Sequence, residues 1–137
     1  MNSDGRSGCG LTETVIATGQ ARWIPAAYRM ELLRTRQYPP ERDLVTAAFV
    51  LAIDCHDRLL LTHVNLPGRG WDAPGGHIDA GERGAEAAAR EITEETGYVV
   101  SAEVLQLVGW QRFTLLEIPS TSYPYPYPLS YTLMFTS

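Results

Sequence analysis

The stretch that most restricts what this chain can fold into runs from Gly75 to Tyr98, where a glycine- and proline-rich approach enters an acid-laden helix. Pro67, Gly68, Gly70, Pro74, Gly75 and Gly76 crowd the approach and mark a loop with special backbone needs. From about Gly84 to Thr96 the pattern turns helical, with Gly97 placed to end it. On a wheel advancing about 100° per residue, Ala85, Ala88, Ala89, Ile92 and Thr96 form one stripe, the face expected to pack on a sheet. Glu91, Glu94 and Glu95 share an adjoining arc, with Arg90 at its far edge.

That acidic arc works against the helix. Glu91 and Glu95 stand four residues apart and repel by roughly 0.2–0.5 kcal/mol. All three acids also occupy the last two turns, where the helix dipole favours cations by about 0.3–1 kcal/mol per charge. Glu86 is expected to pair with Arg90, but one arginine does not balance three acids. The pattern asks for a positive charge that the chain does not supply. A hard divalent cation, Mg²⁺ or Mn²⁺, prefers such oxygen ligands. A solvated acidic face is the alternative, and it leaves unexplained the rigid loop and the further carboxylate, Glu82, at the start of the same helix.

Gly76, five residues, Glu82, seven residues, then Arg90-Glu91-Ile92-Thr93-Glu94-Glu95-Thr96-Gly97 together resemble the box that defines the Nudix hydrolase family. Tyr98 departs from that pattern, since the family usually carries Ile, Leu or Val there. The resemblance extends from about Leu44 to Gly109. It implies an α/β fold, a Nudix-type α/β/α sandwich with a mixed β-sheet, over residues 43–137, behind an N-terminal leader and helix over 1–42. It further implies a Mg²⁺-dependent hydrolase, with Mn²⁺ as substitute, that cleaves a pyrophosphate bond in a nucleoside-diphosphate-linked substrate.

Carried over by resemblance, Glu91, Glu95 and Glu94 would hold metal together with the Gly75 carbonyl. Arg90 would fix the carboxylates and Glu82 would buttress Arg90, while the proton-accepting role stays divided among the glutamates. Gly76, His77 and Trp71 are the candidate substrate contacts. Family members often place another glutamate beyond the box, and only Glu103 and Glu117 follow Gly97 here. They also usually carry a further strand and a closing helix, so the chain's end suggests an exposed edge at Leu133-Met134-Phe135, in a fold that is unusually short at the C-terminus, completed by a partner or truncated. A non-catalytic sensing or partner-binding domain is therefore the rival expectation. Substrate markers are sparse. Leu60-Leu61-Thr62 faintly echoes a coenzyme A pyrophosphatase pattern without its arginine. Trp110, Phe113 and tyrosines 123, 125 and 127 are candidates for stacking on a base.

Charge and cysteine usage narrow the partners. A net charge of −5, with 11 scattered cations, all arginine, argues against a polymeric nucleic acid. No apolar run approaches the roughly 20 residues of a membrane span. Cys9 and Cys55 form no disulfide or metal pattern, and the first ten residues lack the order of a secretory signal, so a cytoplasmic location is expected.

Outside the box, residues 1–10 are expected to be mobile, and a helix is expected from Pro25 to about Gln37, stopped by Tyr38-Pro39-Pro40. It would cap the domain or pair subunits as a homodimer. Leu44–Ile53 reads as a buried strand and Leu59–Val64 as its hairpin partner. Tyr98–Trp110 leans to β, Arg112–Ile118 and Tyr131–Phe135 are expected strands, and Pro119–Pro128 is a Tyr/Pro loop.

Overall fold

Apolar residues alternating with smaller or polar ones build most of the long strands of this computed structural model, which describes residues 14–19 and 24–137. The strands are β1 (Thr14–Gly19), β2 (Tyr28–Arg34), β3 (Val45–Leu51), β4 (Thr62–Val64), β5 (Gly70–Asp72), β6 (Gly75–His77), β7 (Gln106–Leu115) and β8 (Leu129–Thr136). Six of them form one sheet in the order β1-β2-β7-β8-β3-β6. The β3–β8 pair is parallel and the others are antiparallel, so the sheet is mixed. β4 and β5 form a separate hairpin. A single α-helix among the described residues, α1 (Gly84–Thr96), lies against β3 and β6. This is the α/β class with a mixed sheet that the sequence led us to expect.

Side-chain alternation gives the sheet two unlike faces. Ala48 and Val50 of β3 and Leu133 and Phe135 of β8 join Ala87, Ala88 and Ile92 of α1 in the core. The alternate residues Ala47, Phe49, Thr132 and Met134 line a cleft instead. Burying Ile92, which is 1% exposed, contributes about 1.5–3 kcal/mol. α1 starts with the Glu86 carboxylate accepting from the Arg83 amide at 2.9 Å. It ends at Gly97, whose φ of 79° is the left-handed shape that glycine adopts without strain.

Several expectations need correction. The segment expected as a helix over 25–37 holds strand β2, paired on both sides by β1 and β7, so the helical face that left a homodimer open does not form. Each residue of β2 finds a ladder partner on β7, and that long-range pairing overrides the local helix preference of Met30, Glu31, Leu32 and Leu33. Leu59–Val64 meets the residues just after β3 at its start, through an antiparallel Ile53–Leu59 bridge and the Leu60 amide donating to the Ala52 carbonyl, before β4 pairs with β5. Arg112 belongs to the same strand as Trp110, and β7 stops at Leu115 rather than Ile118. Leu133-Met134-Phe135 is not an edge: β8 lies between β7 and β3. Glu86 pairs with Arg83 rather than Arg90. The leader, residues 1–10, lies outside the described residues.

Candidate functional site

Two three-residue strands in the glycine-rich approach set the site. β6 pairs with β3 and delivers Gly75, Gly76 and His77 beside the acidic face of α1. Gly76 meets Glu91 so closely that a Cβ there would stand 2.7 Å from the carboxylate. The Gly75 amide donates to Glu95 Oε2 at 3.2 Å. A side chain at position 76 would push the Glu91 carboxylate away, whereas one at position 75 would strike Ala48 and Phe49 of β3.

Arg90 organises the other carboxylates. Its Nε and Nη2 donate to the two Glu82 oxygens at 2.9 and 3.1 Å, a bidentate pair. Its Nη1 donates to Glu91 at 2.8 Å and Glu94 at 3.3 Å, and Nη2 also reaches the His77 carbonyl at 3.0 Å. This one guanidinium ties the start of α1, its acidic face and β6 together. Glu82, first through Arg90 and then through the Asp79 amide, is held below the usual carboxylate range. Arg90 in turn is held protonated more firmly than usual, by Glu82 first and Glu91 next.

Glu95 behaves differently. Part of it stays open to solvent, but loss of water around the carboxyl pushes its proton affinity up, and Glu91 and Asp72 add to that. The Gly75 amide and the Thr62 hydroxyl oppose the rise without cancelling it. It is a carboxylate kept short of positive charge.

Glu91, Glu95, Gly75, Gly76 and His77 all line one open cleft of about 770 Å³. Glu94 and Glu82 stand behind it, reached through Arg90. Among the described residues no three acidic, imidazole or thiol groups converge closely enough to ligate a cation as the side chains stand. Glu91 and Glu94 lean on Arg90 and Glu95 on the Gly75 amide. The donor set nevertheless suits a hard divalent cation, because it is all oxygen and because Gly76 leaves room for Glu91 at the cleft wall. Glu91, Glu94 and Glu95, with the backbone at Gly75, are the groups that could hold one.

Other candidates fall elsewhere. Trp71 is 68% exposed on the hairpin, edge-on to His63 with ring centroids 5.1 Å apart, and does not line the cleft. Glu117 accepts from the Ala27 amide at 2.8 Å, and the Glu103 carboxylate accepts from the Ser101 hydroxyl in the short turn that Ser101 caps, so both are engaged away from the acids of α1. Trp110 is core, its indole N–H donating to the Gln37 carbonyl at 2.9 Å. Phe113, Tyr123 and Tyr125 do line the cleft.

The sequence reading passed over Arg69 and Asp72, an ion pair at 3.4 Å inside the cleft. Their position within the glycine-rich approach was the available signal. Met30, Phe49, Gln111 and Met134 were also passed over. They meet only through sheet order, so no local pattern betrays them.

A mixed sheet bearing one helix, whose acids meet a glycine-built strand at a cleft, defines an α/β domain with an acidic site at its sheet edge. The NUDIX domain family model matches residues 43–132, and the chain belongs to that family. A Bacillus subtilis protein named "Putative 8-oxo-dGTP diphosphatase" is 48% identical over 52 residues, 37% of this chain and 34% of that protein. A Xenopus laevis protein named m7GpppN-mRNA hydrolase NUDT17 is 38% identical over 72 residues, 50% of this chain and 23% of that protein. The chain thus spans about a third or less of these relatives' lengths. A crystal structure of the Bacillus subtilis pyrophosphohydrolase BsRppH, in mutant form, matches the fold with a TM-score of 0.58 at 21% identity. It covers 88% of this chain and 64% of that one.

Proposed function

We propose that the protein is a Mg²⁺-dependent pyrophosphohydrolase acting on a nucleoside diphosphate linked to another group. The carrying observation is the acidic face of α1, with Glu91 and Glu95 lining the cleft beside Gly75 and Gly76 and Arg90 holding the acids from behind. The relatives named for hydrolysing an 8-oxo nucleotide and an mRNA cap give the nucleotide part of the proposal its support. Glu91, Glu94 and Glu95 would hold a divalent cation, whose chemistry there would be to neutralise the pyrophosphate and lower the pKa of water.

The chain's own groups do the rest. Arg90 donates to Glu82, Glu91 and Glu94, which keeps those carboxylates in place and aimed. Gly75 and Gly76 let a polyanion approach backbone rather than side chains. Arg69 and His77 flank that approach from the cleft wall. The attacking water's proton passes to one of the α1 carboxylates. A cytoplasmic setting suits the free, exposed Cys55 thiol.

The test is Mg²⁺-dependent formation of phosphomonoester products, read as phosphate after a coupled phosphatase, over a panel of nucleoside triphosphates, ADP-ribose, dinucleotide cofactors, dinucleoside polyphosphates and nucleotide sugars. Hydrolysis of at least one class, abolished by EDTA, is the expected outcome. Ligand binding without hydrolysis across the whole panel would instead support the rival, a sensing domain.

A further inference from the structure

β6 holds the backbone of His77 but leaves its ring to other elements. His77 pairs with Ala47 of β3, and its carbonyl accepts from Arg90 Nη2 at 3.0 Å. Its neighbour Gly76 faces the Glu91 carboxylate at close range. The residue lines the cleft and is exposed, at the end of an edge strand three residues long. An exposed side chain in such a place has several staggered rotamers open to it, and they do not all meet an anion lying over Gly75 and Gly76.

One residue settles the ring. Tyr125 lies against it with centroids 5.5 Å apart and 19° between the planes, and the Tyr125 hydroxyl oxygen is 2.8 Å from His77 Nε2. The stack sets the plane of the imidazole and the bond sets its rotation within that plane. Among the described residues no other hydrogen bond or ring contact is made to this imidazole. Tyr125 reaches it by a detour that closing a hairpin does not require. About two to five residues suffice to join antiparallel strands, and the Leu115 amide, donating to the Pro128 carbonyl at 2.7 Å, already closes the base of the β7–β8 connection. The connection nevertheless runs through residues 116–128. From β8 it crosses past β3 to β6, two strand spacings of about 4.8 Å each. Pro124 and Pro126 flank Tyr125 and restrict its backbone, and Tyr123 braces it edge-on at 5.4 Å.

We infer that Tyr125 is a positioning residue, which aims the His77 imidazole at the phosphate chain of the substrate. The inference rests on the hydrolase proposal for the anion and on the loop for the aim. A phenol O–H donating to Nε2 leaves the ring proton on Nδ1, so the imidazole keeps a donor for a phosphate oxygen. If Tyr125 only anchored the loop, its loss would act independently of His77.

Ring-nitrogen NMR on the full chain, in alkaline buffer where imidazoles are neutral, separates the two tautomers, and His77→Ala identifies the His77 signals. The wild type is expected to hold His77 in the Nδ1–H form. Tyr125→Phe should lose that preference but keep the ring-current shift of the stack, and Tyr125→Leu should lose both. Magnesium pyrophosphate, as the anion probe, should move the His77 signals in the wild type and not in Tyr125→Leu. On the panel substrate hydrolysed fastest, Tyr125→Phe should lower kcat/KM about threefold and Tyr125→Leu about tenfold, for a lost bond and for a lost bond with its stack. In a His77→Ala background neither change should lower it again. Mixed tautomers in the wild type, equal losses in both backgrounds, or faster turnover in Tyr125→Leu would overturn the positioning role. Should Tyr125→Leu disturb the loop, Tyr125→Phe, which keeps the ring's bulk, decides. No turnover on any substrate, with the tautomer and pyrophosphate responses intact, would sink the hydrolase proposal and leave the aim of His77 standing. Turnover with neither response would do the reverse.

Discussion

Helix α1 and strand β2 are both rich in residues that favour helices, yet they answer to different forces. β2 (YRMELLR) is drawn into the sheet by ladders on both sides, and its acid, Glu31, is met across the strands by Arg112 at 2.8 Å. α1 stays helical and buries Ala87, Ala88 and Ile92, yet carries three acids near its C-terminal end against one arginine. Charge that serves the fold is matched pair by pair. In α1 it is left in excess, and the excess faces the cleft.

The strongest challenge to that contrast is removal of the excess. Glu95→Gln, at an acid that no arginine pairs with among the described residues, should abolish turnover while leaving melting temperature equal or higher, because a repulsion of roughly 0.2–0.5 kcal/mol disappears. Loss of folding, with unchanged activity in the soluble remainder, would break the distinction. Gly76→Ala sharpens it next. The new Cβ displaces the Glu91 carboxylate, a flexible group, so activity should fall well before stability does. Kinetics and thermal melts on the same preparation will show which falls.

Glu82→Gln acts on both sides of the comparison. Arg90 holds the Glu82 pKa below its unfolded value, so the stabilisation is complete above that value and is lost as pH falls through the folded one. The gap in melting temperature between wild type and Glu82→Gln should therefore be full near about pH 6 and should close toward about pH 3. A gap that widens in acid would contradict the pairing. Glu31→Gln, by contrast, should lower stability by about 1 kcal/mol through the lost bond to Arg112 and leave kcat and KM alone. The smallest effect is expected from Trp71→Ala, which removes an exposed ring outside the cleft and should leave KM unchanged.

The same contrast explains what could be seen in the sequence. α1 was legible because its stripe and its stop are local: Ala88, Ile92 and Gly97 declare them within one segment. β3 was legible as an unbroken apolar run. β2 was not, because Pro25 and Pro39-Pro40 bound a strand as well as a helix, and only β7 decides between them. β8 looked like an edge because nothing in Leu133-Met134-Phe135 announces a parallel partner as distant as β3. β5 and β6, three residues each, are too short for any alternation to show. At the site, the acids and Arg90 share one segment and could be read together. The cleft floor could not, because Met30, Phe113 and Met134 come from three strands.

Everything turns on whether the unmatched acids of α1 exist to hold a cation. The most direct measurement is a melting-temperature titration with Mg²⁺ and Mn²⁺, for the wild type and for Glu91→Gln/Glu95→Gln together. Saturable stabilisation of the wild type, about 2.7 kcal/mol at a hundredfold excess over Kd, and none in the double variant is the predicted result. Equal stabilisation of both proteins, or no response from either, would contradict the account.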